Sequence, residues 1–333
     1  MRPNRLALIP LLFAIAIPLH AEDPQVRQEA VRLMERAAAA STAATLPNVF
    51  RSDHFRSYSL QRNPQEGWFT RATVQNQGRR DESTFGDYHN LEVLNGRQIS
   101  FVRSKDIAPP EIHDLFEVTP IRMMRFDEAD TIRSIAKKTV NGRPADCIQF
   151  ESTSGEKTQP ENEFCLDREN GTLVREKVGD SLVENSNFFP FAGVLMPGTI
   201  KYSVAGALRM EVTQTMQPLS APVEELLATP PGAQINQLCS SARRPYGTYM
   251  PQPKPGHGSN NYDVVLRGMV QPDGKAHEAV VQDSDRPDLN AEALSMAQQW
   301  TFTPEVCNGH PNSQEVQITI HFVARWTCIA KLI

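Results

Sequence analysis

The sequence predicts an α+β protein, with an N-terminal antiparallel sheet accompanied by helices and a small C-terminal ββαβ unit. Three observations carry this reading. Residues 24–44 are rich in Ala, Glu and Arg, with Val26, Ala30, Leu33 and Ala37 at helical spacing. From Phe55 to Gln217 short runs of β-formers are separated by turn residues. After residue 261 the patterns run strand, turn, strand, helix, strand.

In chain order, residues 1–21 read as a cleavable secretory signal peptide. Arg2 and Arg5 precede an apolar run from Leu6 to Leu19, and Ala21 stands before Glu22 and Asp23. The run falls short of the roughly 20 residues a membrane-spanning helix needs, and Pro10 and Pro18 interrupt it. An uncleaved anchor is the alternative. The 333 residues are 40% hydrophobic and 22% charged, which supports a packed core and excludes a disordered chain. The formal net charge is −5, and loss of Arg2 and Arg5 would make it −5 − 2 = −7. That balance argues against a nucleic-acid partner.

Residues 22–217 form the predicted first domain. Its helix is followed by extended runs such as "HFRSYSLQ", "GWFTRATVQNQ" and "YHNLEVLNGRQISFVRS", with Asn95-Gly96, Asn141-Gly142 and Asn170-Gly171 as tight turns. Between residues 110 and 138, "HDLFEV" and "DEADTIRSIAKK" break the pattern and predict one or two short helices. Residues 218–260, with "ATPPGAQ" and "RRPYGTYMPQPKPGHG", have the composition of a semi-extended linker.

Residues 261–333 are the predicted last domain. "YDVVLRGMV" is a strand, "QPDGK" a turn and "AHEAVVQD" a second strand. Asp288 stands where it would cap the following helix, whose apolar face is Leu289, Ala293, Ala297 and Trp300. In the final strand Val316, Ile318, Ile320 and Phe322 alternate with Gln317, Thr319 and His321.

Five cysteines fit an oxidising compartment. Cys147 and Cys165 flank a predicted pair of strands, and their disulfide would add about 3 kcal/mol in the chain-entropy model. Among Cys239, Cys307 and Cys328, the preferred pair is Cys239 with Cys307, tying the linker to the last domain.

The joint spacing of Gly274, Leu289, Ala293, Trp300, Phe302, Pro304, Gly309 and Phe322 resembles the TonB C-terminal domain, over about residues 263–323. That family is the periplasmic part of a protein coupling inner-membrane energy to outer-membrane receptors. The resemblance implies that residues 316–322 (Val316, Gln317, Ile318, Thr319, Ile320, His321, Phe322) present a strand edge to an extended peptide, by strand addition. The first domain, with its opening helix, long meander and "FFPFAGVLMPGTIKYSVAGALRMEVTQT", is similar to the LolA-related lipoprotein-carrier half-barrels. A TonB-type energy transducer needs an N-terminal anchor and a long proline-rich spacer. Here the leader looks cleavable and the spacer is short, so energy transduction is not expected.

Other candidates have plainer readings. Trp300 and Phe302 fit core packing. Cys307 and His310 in "CNGH" have a metal-type spacing, but Asn308-Gly309 already explains a turn and no second pair accompanies them. The carboxylates in "DEAD" (127–130) and "DSD" (283–285) read as solvated charges. Phe188, Phe191, Leu195 and Met196, in a dense apolar stretch, are candidates for lining an apolar cavity. No nucleophile elbow, phosphate loop or dinucleotide fingerprint occurs, so neither cofactor nor metal is expected and the chain is read as non-enzymatic. The expected function is periplasmic binding of an outer-membrane receptor or other envelope protein through strand pairing, the plainer alternative being that the strand pairs inside its own sheet or in a homodimer. The alternative is a carrier of lipid or lipoprotein acyl chains in the first domain.

Overall fold

The computed structural model describes residues 22–41, 48–58, 63–118, 126, 130–152, 162–238, 245–251, 261–322 and 330–332. The predicted signal peptide, residues 42–44 of the first helix, Asp127 to Ala129, Cys239 and Cys328 lie outside these. Helix α1 (Pro24–Ser41) precedes β1 (Val49–Ser57), β2 (Gln65–Val74), β3 (Gly78–Phe85), β4 (Tyr88–Asn95) and β5 (Gln98–Arg103). Then come α2 (Pro110–Val118), β6 (Asp130–Val140), β7 (Arg143–Ser152), β8 (Asn162–Asp167), β9 (Leu173–Val178) and β10 (Ser181–Ser186). A short hairpin, β11 (Phe189–Phe191) with β12 (Val194–Met196), leads to β13 (Thr199–Val204) and β14 (Ala207–Pro218).

Next are α3 (Val223–Leu226), β15 (Gln234–Gln237) and β16 (Tyr246–Tyr249). The last part contains β17 (Tyr262–Val270), β18 (Ala276–Ser284), α4 (Asn290–Ala297), β19 (Thr301–Thr303), β20 (Glu305–Cys307), β21 (His310–Asn312), β22 (Gln314–Phe322) and β23 (Ala330–Leu332).

Thirteen strands make one open antiparallel sheet, in the order β15-β5-β4-β3-β2-β1-β14-β13-β10-β9-β8-β7-β6. Two meanders meet where β14 returns beside β1, paired from Val49↔Pro218 to Ser57↔Met210. The turn chemistry acts as expected. Asn141 and Gly142 both have positive φ, 50° and 79°, between β6 and β7, the combination a two-residue hairpin turn requires. Helix α1 buries Ala30, Leu33, Met34 and Ala37 against Ile132, Ile148, Phe150 and Leu166. Helix α2 buries Ile112, Leu115 and Val118 over Phe55, Phe69, Phe85 and Tyr88. Cys147 and Cys165 stand directly opposite each other on β7 and β8 and form the disulfide.

Two expectations are corrected. Residues 130–140 are strand β6, not helix, and β6 pairs along its length with β7. Thr131, Ile132, Ile135, Thr139 and Val140 are β-branched, and that long pairing outweighs the weak helix preference of "IAKK". Asp130 is buried where β6 begins instead of solvated, and its carbonyl accepts from Arg27 Nη1 at 2.8 Å. The predicted linker is also partly built into the structure. Leu227 is buried beside Val74 and Val93, β15 adds to the edge of the large sheet through β5, and β16 pairs with β19.

In the last part the small sheet runs β18-β17-β22-β23. Leu289, Ala293, Ala297 and Trp300 are buried with Phe302, Leu266, Ile318 and Ile320. Helix α4 ends before Trp300, whose N–H donates to the Ala297 carbonyl at 3.2 Å while its indole Nε1 donates to Pro251 O at 3.3 Å. Asp288 does not cap α4. A 3₁₀ turn, Pro287–Leu289, precedes the helix, and Asp288 instead accepts from Arg286 Nε at 2.6 Å.

Gly274 sits in the predicted "QPDGK" turn at φ +76°, and a Cβ there would lie 2.4 Å from the Phe302 carbonyl oxygen. Gly309 in "NGHP" has φ +86° with open space around it. Gly309→Ala should therefore carry only the left-handed penalty, about 1–2 kcal/mol, and Gly274→Ala a larger loss in urea unfolding. Equal losses would show that the Phe302 backbone yields freely. Trp300→Ala should cost ~3–5 kcal/mol in the same assay.

Candidate functional sites on the small sheet and the large sheet

Strand β22 carries the predicted partner-binding residues. All nine of its positions pair with β17, from Tyr262↔Phe322 to Val270↔Gln314. On its other side β23 pairs as Ile318↔Leu332, Thr319↔Lys331 and Ile320↔Ala330. The centre of the expected open edge is therefore covered by the chain's own C-terminal strand, because the chain returns antiparallel after residue 329. Val316, Ile318, Ile320 and Phe322 face the core as their alternation predicts, and Thr319 is buried as well. His321 Nδ1 lies 2.6 Å from Asp263 Oδ1.

The four apolar cavity candidates fall in more than one cluster. Phe188 packs beside the Cys147–Cys165 disulfide, while Phe191 and Met196 belong to a cluster with Val194 and Met216, and Leu195 is half-buried on β12. "CNGH" is the β20–β21 hairpin, with Asn308 and Gly309 at φ 51° and 86°. Cys307 is disulfide-bonded, and both cysteines left for it, Cys239 and Cys328, lie outside the described residues. Among the described residues, metal-type side chains converge at Cys147, Glu163 and Cys165, and both of those cysteines are joined in the disulfide.

A site that the sequence reading missed lies on the large sheet beneath α2. Successive side chains of a strand alternate between its faces, so Arg51, Asp53 and Phe55 of β1 share one face. The registers carry this face across the sheet as rows. One row is Arg51, Arg71, Asp81 and Glu92, and the next is Asp53, Phe69, Ser83, Asn90 and Arg103. A third contains Phe55, Gly67, Phe85 and Tyr88. Gly67 is required there, since a Cβ would lie 2.2 Å from the Phe55 ring.

Like charges directly opposite each other destabilise a sheet, and pairs along a strand, across to the opposite residue and on the diagonal offset them. Arg51 Nε donates to both Asp53 carboxylate oxygens at 3.0 Å. Arg71 holds Asp81 through Nε and Nη2, both at 2.7 Å. Arg79 bonds Asp81 and Glu92, each at 2.9 Å. Arg103 Nε donates to Asn90 at 2.9 Å and its Nη2 lies 3.7 Å from Glu92. Burial by itself would lower the Arg79 guanidinium, but Asp81 and Glu92 outweigh it and hold the group above its ordinary value. Burial pushes the Tyr88 phenol up to about 12, so Tyr88 is a hydroxyl donor at neutral pH.

These side chains surround a pocket of about 380 Å³, walled on its apolar side by Phe69, Ala108, Ile112 and Phe116. Glu315 of β22 reaches the same pocket. Its carboxylate lies 2.9 Å from Arg267 Nη1 and 2.9 Å from His113 Nε2 of α2, the latter an ion-pair distance off the line of a good hydrogen bond. The two parts also meet elsewhere. Asn236 and Gln237 of β15 exchange four hydrogen bonds of 2.7–3.0 Å with Asn312 and Ser313. The Asp106 N–H donates to Glu278 at 2.8 Å.

The structure thus defines a broad antiparallel sheet docked on a small ββαβ unit. Residues 262–324, less than half of the chain, match the family described as the Gram-negative bacterial TonB protein C-terminal, so this unit is of the TonB C-terminal type. No curated protein matches the sequence. Solved structures similar to it include a LolA superfamily protein from Nitrosomonas europaea, at 9% identity and TM-score 0.37, covering 59% of this chain and 96% of that one. A DUF1329 family protein from Desulfovibrio piger overlaps at 7% identity and TM-score 0.39, covering 60% and 97%. The MucA/MucB complex of Pseudomonas aeruginosa overlaps at 15% and 0.31, covering 84% and 100%. At these scores the likenesses are loose.

Burial would raise the Glu315 carboxyl, but His113 and Arg267 outweigh it and hold it below the usual 4.5. A depressed folded-state pKa means that the stabilisation is full above about pH 4.5 and is lost as pH falls through the lower folded value. The stability gap between the native chain and Glu315→Gln should accordingly shrink as pH falls below about 4.5 in urea titrations. A gap independent of pH would show that the carboxylate charge does not brace the two parts.

Proposed function

We propose that the chain is an exported, non-enzymatic binding protein of the bacterial envelope. Its TonB-type unit takes an extended segment of an outer-membrane or other envelope protein beside β22, and its place is the periplasm. The match over residues 262–324 supports the envelope setting. The observation that carries strand addition is the unequal pairing of β22. Its inner side is paired at all nine positions, whereas among the described residues β23 meets it at Ile318, Thr319 and Ile320. A short strand makes few ladder bonds, so a longer incoming strand would gain main-chain hydrogen bonds by replacing it. An edge covered by the chain itself is also protected from unspecific pairing until a partner arrives. Among the described residues no helix is long and apolar enough to cross a membrane.

Gln317 is partly exposed and offers a position for a photo-crosslinking residue. In the intact chain it should crosslink to an extended segment of an envelope protein, and a chain ending at residue 329 should crosslink more strongly. If removal of residues 330–333 leaves crosslinking unchanged or abolishes it, strand addition at β22 is wrong.

A further inference from the structure

We propose that the arginine-lined pocket beneath α2 binds a phosphomonoester-type dianion carried on a small apolar group. Although Glu315 of β22 lines this pocket, the proposal does not rest on the partner reading. Its volume of about 380 Å³ lies within the range of small-ligand pockets. Three guanidiniums, those of Arg71, Arg79 and Arg103, share two carboxylates, Asp81 and Glu92, which leaves one positive charge in excess. The facing carboxylate of Glu315 is matched by Arg267 and His113.

Arg71 and Arg79 each use Nε and Nη2 on these acids. Both side chains remain one-third exposed, at 33%, and the Nη1 of each has no protein partner among the described residues. Their Nε and Nη2 are already occupied by carboxylates, so a ligand that engages both side chains must offer an acceptor to each Nη1. A phosphomonoester, with several acceptor oxygens and two charges, meets that demand better than one further carboxylate. The opposite wall is apolar. Phe116 is exposed and packs edge-on against Phe69 at 5.2 Å between ring centroids, which suits a ring or short chain attached to the phosphate. A lattice of partly buried ion pairs is also a costly substitute for apolar packing, as expected where the charges serve a ligand.

Such a ligand has two sources, a soluble aryl or alkyl phosphate and a lipid headgroup. Calorimetry on the intact chain with 1-naphthyl phosphate, inorganic phosphate and 1-naphthol addresses the first. Flotation with phosphatidylcholine vesicles, with and without phosphatidic acid, addresses the second. The expected result is binding of 1-naphthyl phosphate more tightly than inorganic phosphate, with no binding of 1-naphthol. Arg79→Gln leaves Asp81 held by Arg71 and Glu92 near Arg103, so the fold should survive, as a melting curve checks. It should weaken 1-naphthyl phosphate roughly tenfold or more. Phe116→Ala should remove the advantage of the naphthyl group while leaving inorganic phosphate unchanged. Binding confined to phosphatidic acid vesicles and lost in Arg79→Gln supports the site and identifies a headgroup as its source. No binding in either arm, equal binding of 1-naphthol, or binding unaffected by Arg79→Gln in a folded variant overturns the proposal.

Discussion

The large sheet depends on β1, which pairs along its whole length with β2 on one side and β14 on the other. Without that seam the chain would be two separate meanders, each with an unpaired edge. Because β1 is held on both sides, its alternation is rigid, and Arg51, Asp53 and Phe55 must point to the same covered face. Charge placed on such a face has to be paired, since an unpaired buried ion costs several kcal/mol. The pairing spreads from strand to strand: Arg51 with Asp53, Arg71 with Asp81, then Arg79 between Asp81 and Glu92. The pocket beneath α2 is a consequence of this constraint.

The same economy of edges governs how the two parts meet. A sheet this broad has two ends, and one is closed by β15, a strand from the segment whose composition reads as linker. β15 also offers Asn236 and Gln237 to Asn312 and Ser313, so one short strand both covers an edge and docks the TonB-type unit. Glu278, at φ +47° in β18, shows a second device. A positive φ in a non-glycine residue is a strained arrangement, and here it accompanies a register shift in the β17–β18 pairing and a carboxylate bonded to the Asp106 N–H.

Much of this was legible in local patterns. The helix at α1, the Asn-Gly turns, the Cys147–Cys165 pair and the packing of Leu289, Ala293, Ala297 and Trp300 follow from period and turn chemistry, which act over a few residues. The charged pocket left a fainter trace: Phe69 and Arg71, Phe101 and Arg103, and the run Arg79, Asp81, Ser83 and Phe85 all keep an interval of two. In a strand, a charge in phase with a buried aromatic shares its face. That phase was readable, but which strands neighbour one another was not, and neither was the covering helix.

By itself, then, the sequence determined the class of most segments, many of the turns and the family resemblance of the last unit, because propensity, glycine conformation and apolar spacing are properties of neighbouring residues. Tertiary structure decided that residues 130–140 are a strand, that part of a proline-rich segment closes a sheet, that Phe188 packs apart from Phe191 and Met196, and that β22 is covered at its centre. Each of these depends on a partner far along the chain. A strand's hydrogen bonds and a buried charge's counter-ion come from outside its own segment, so no local pattern names them.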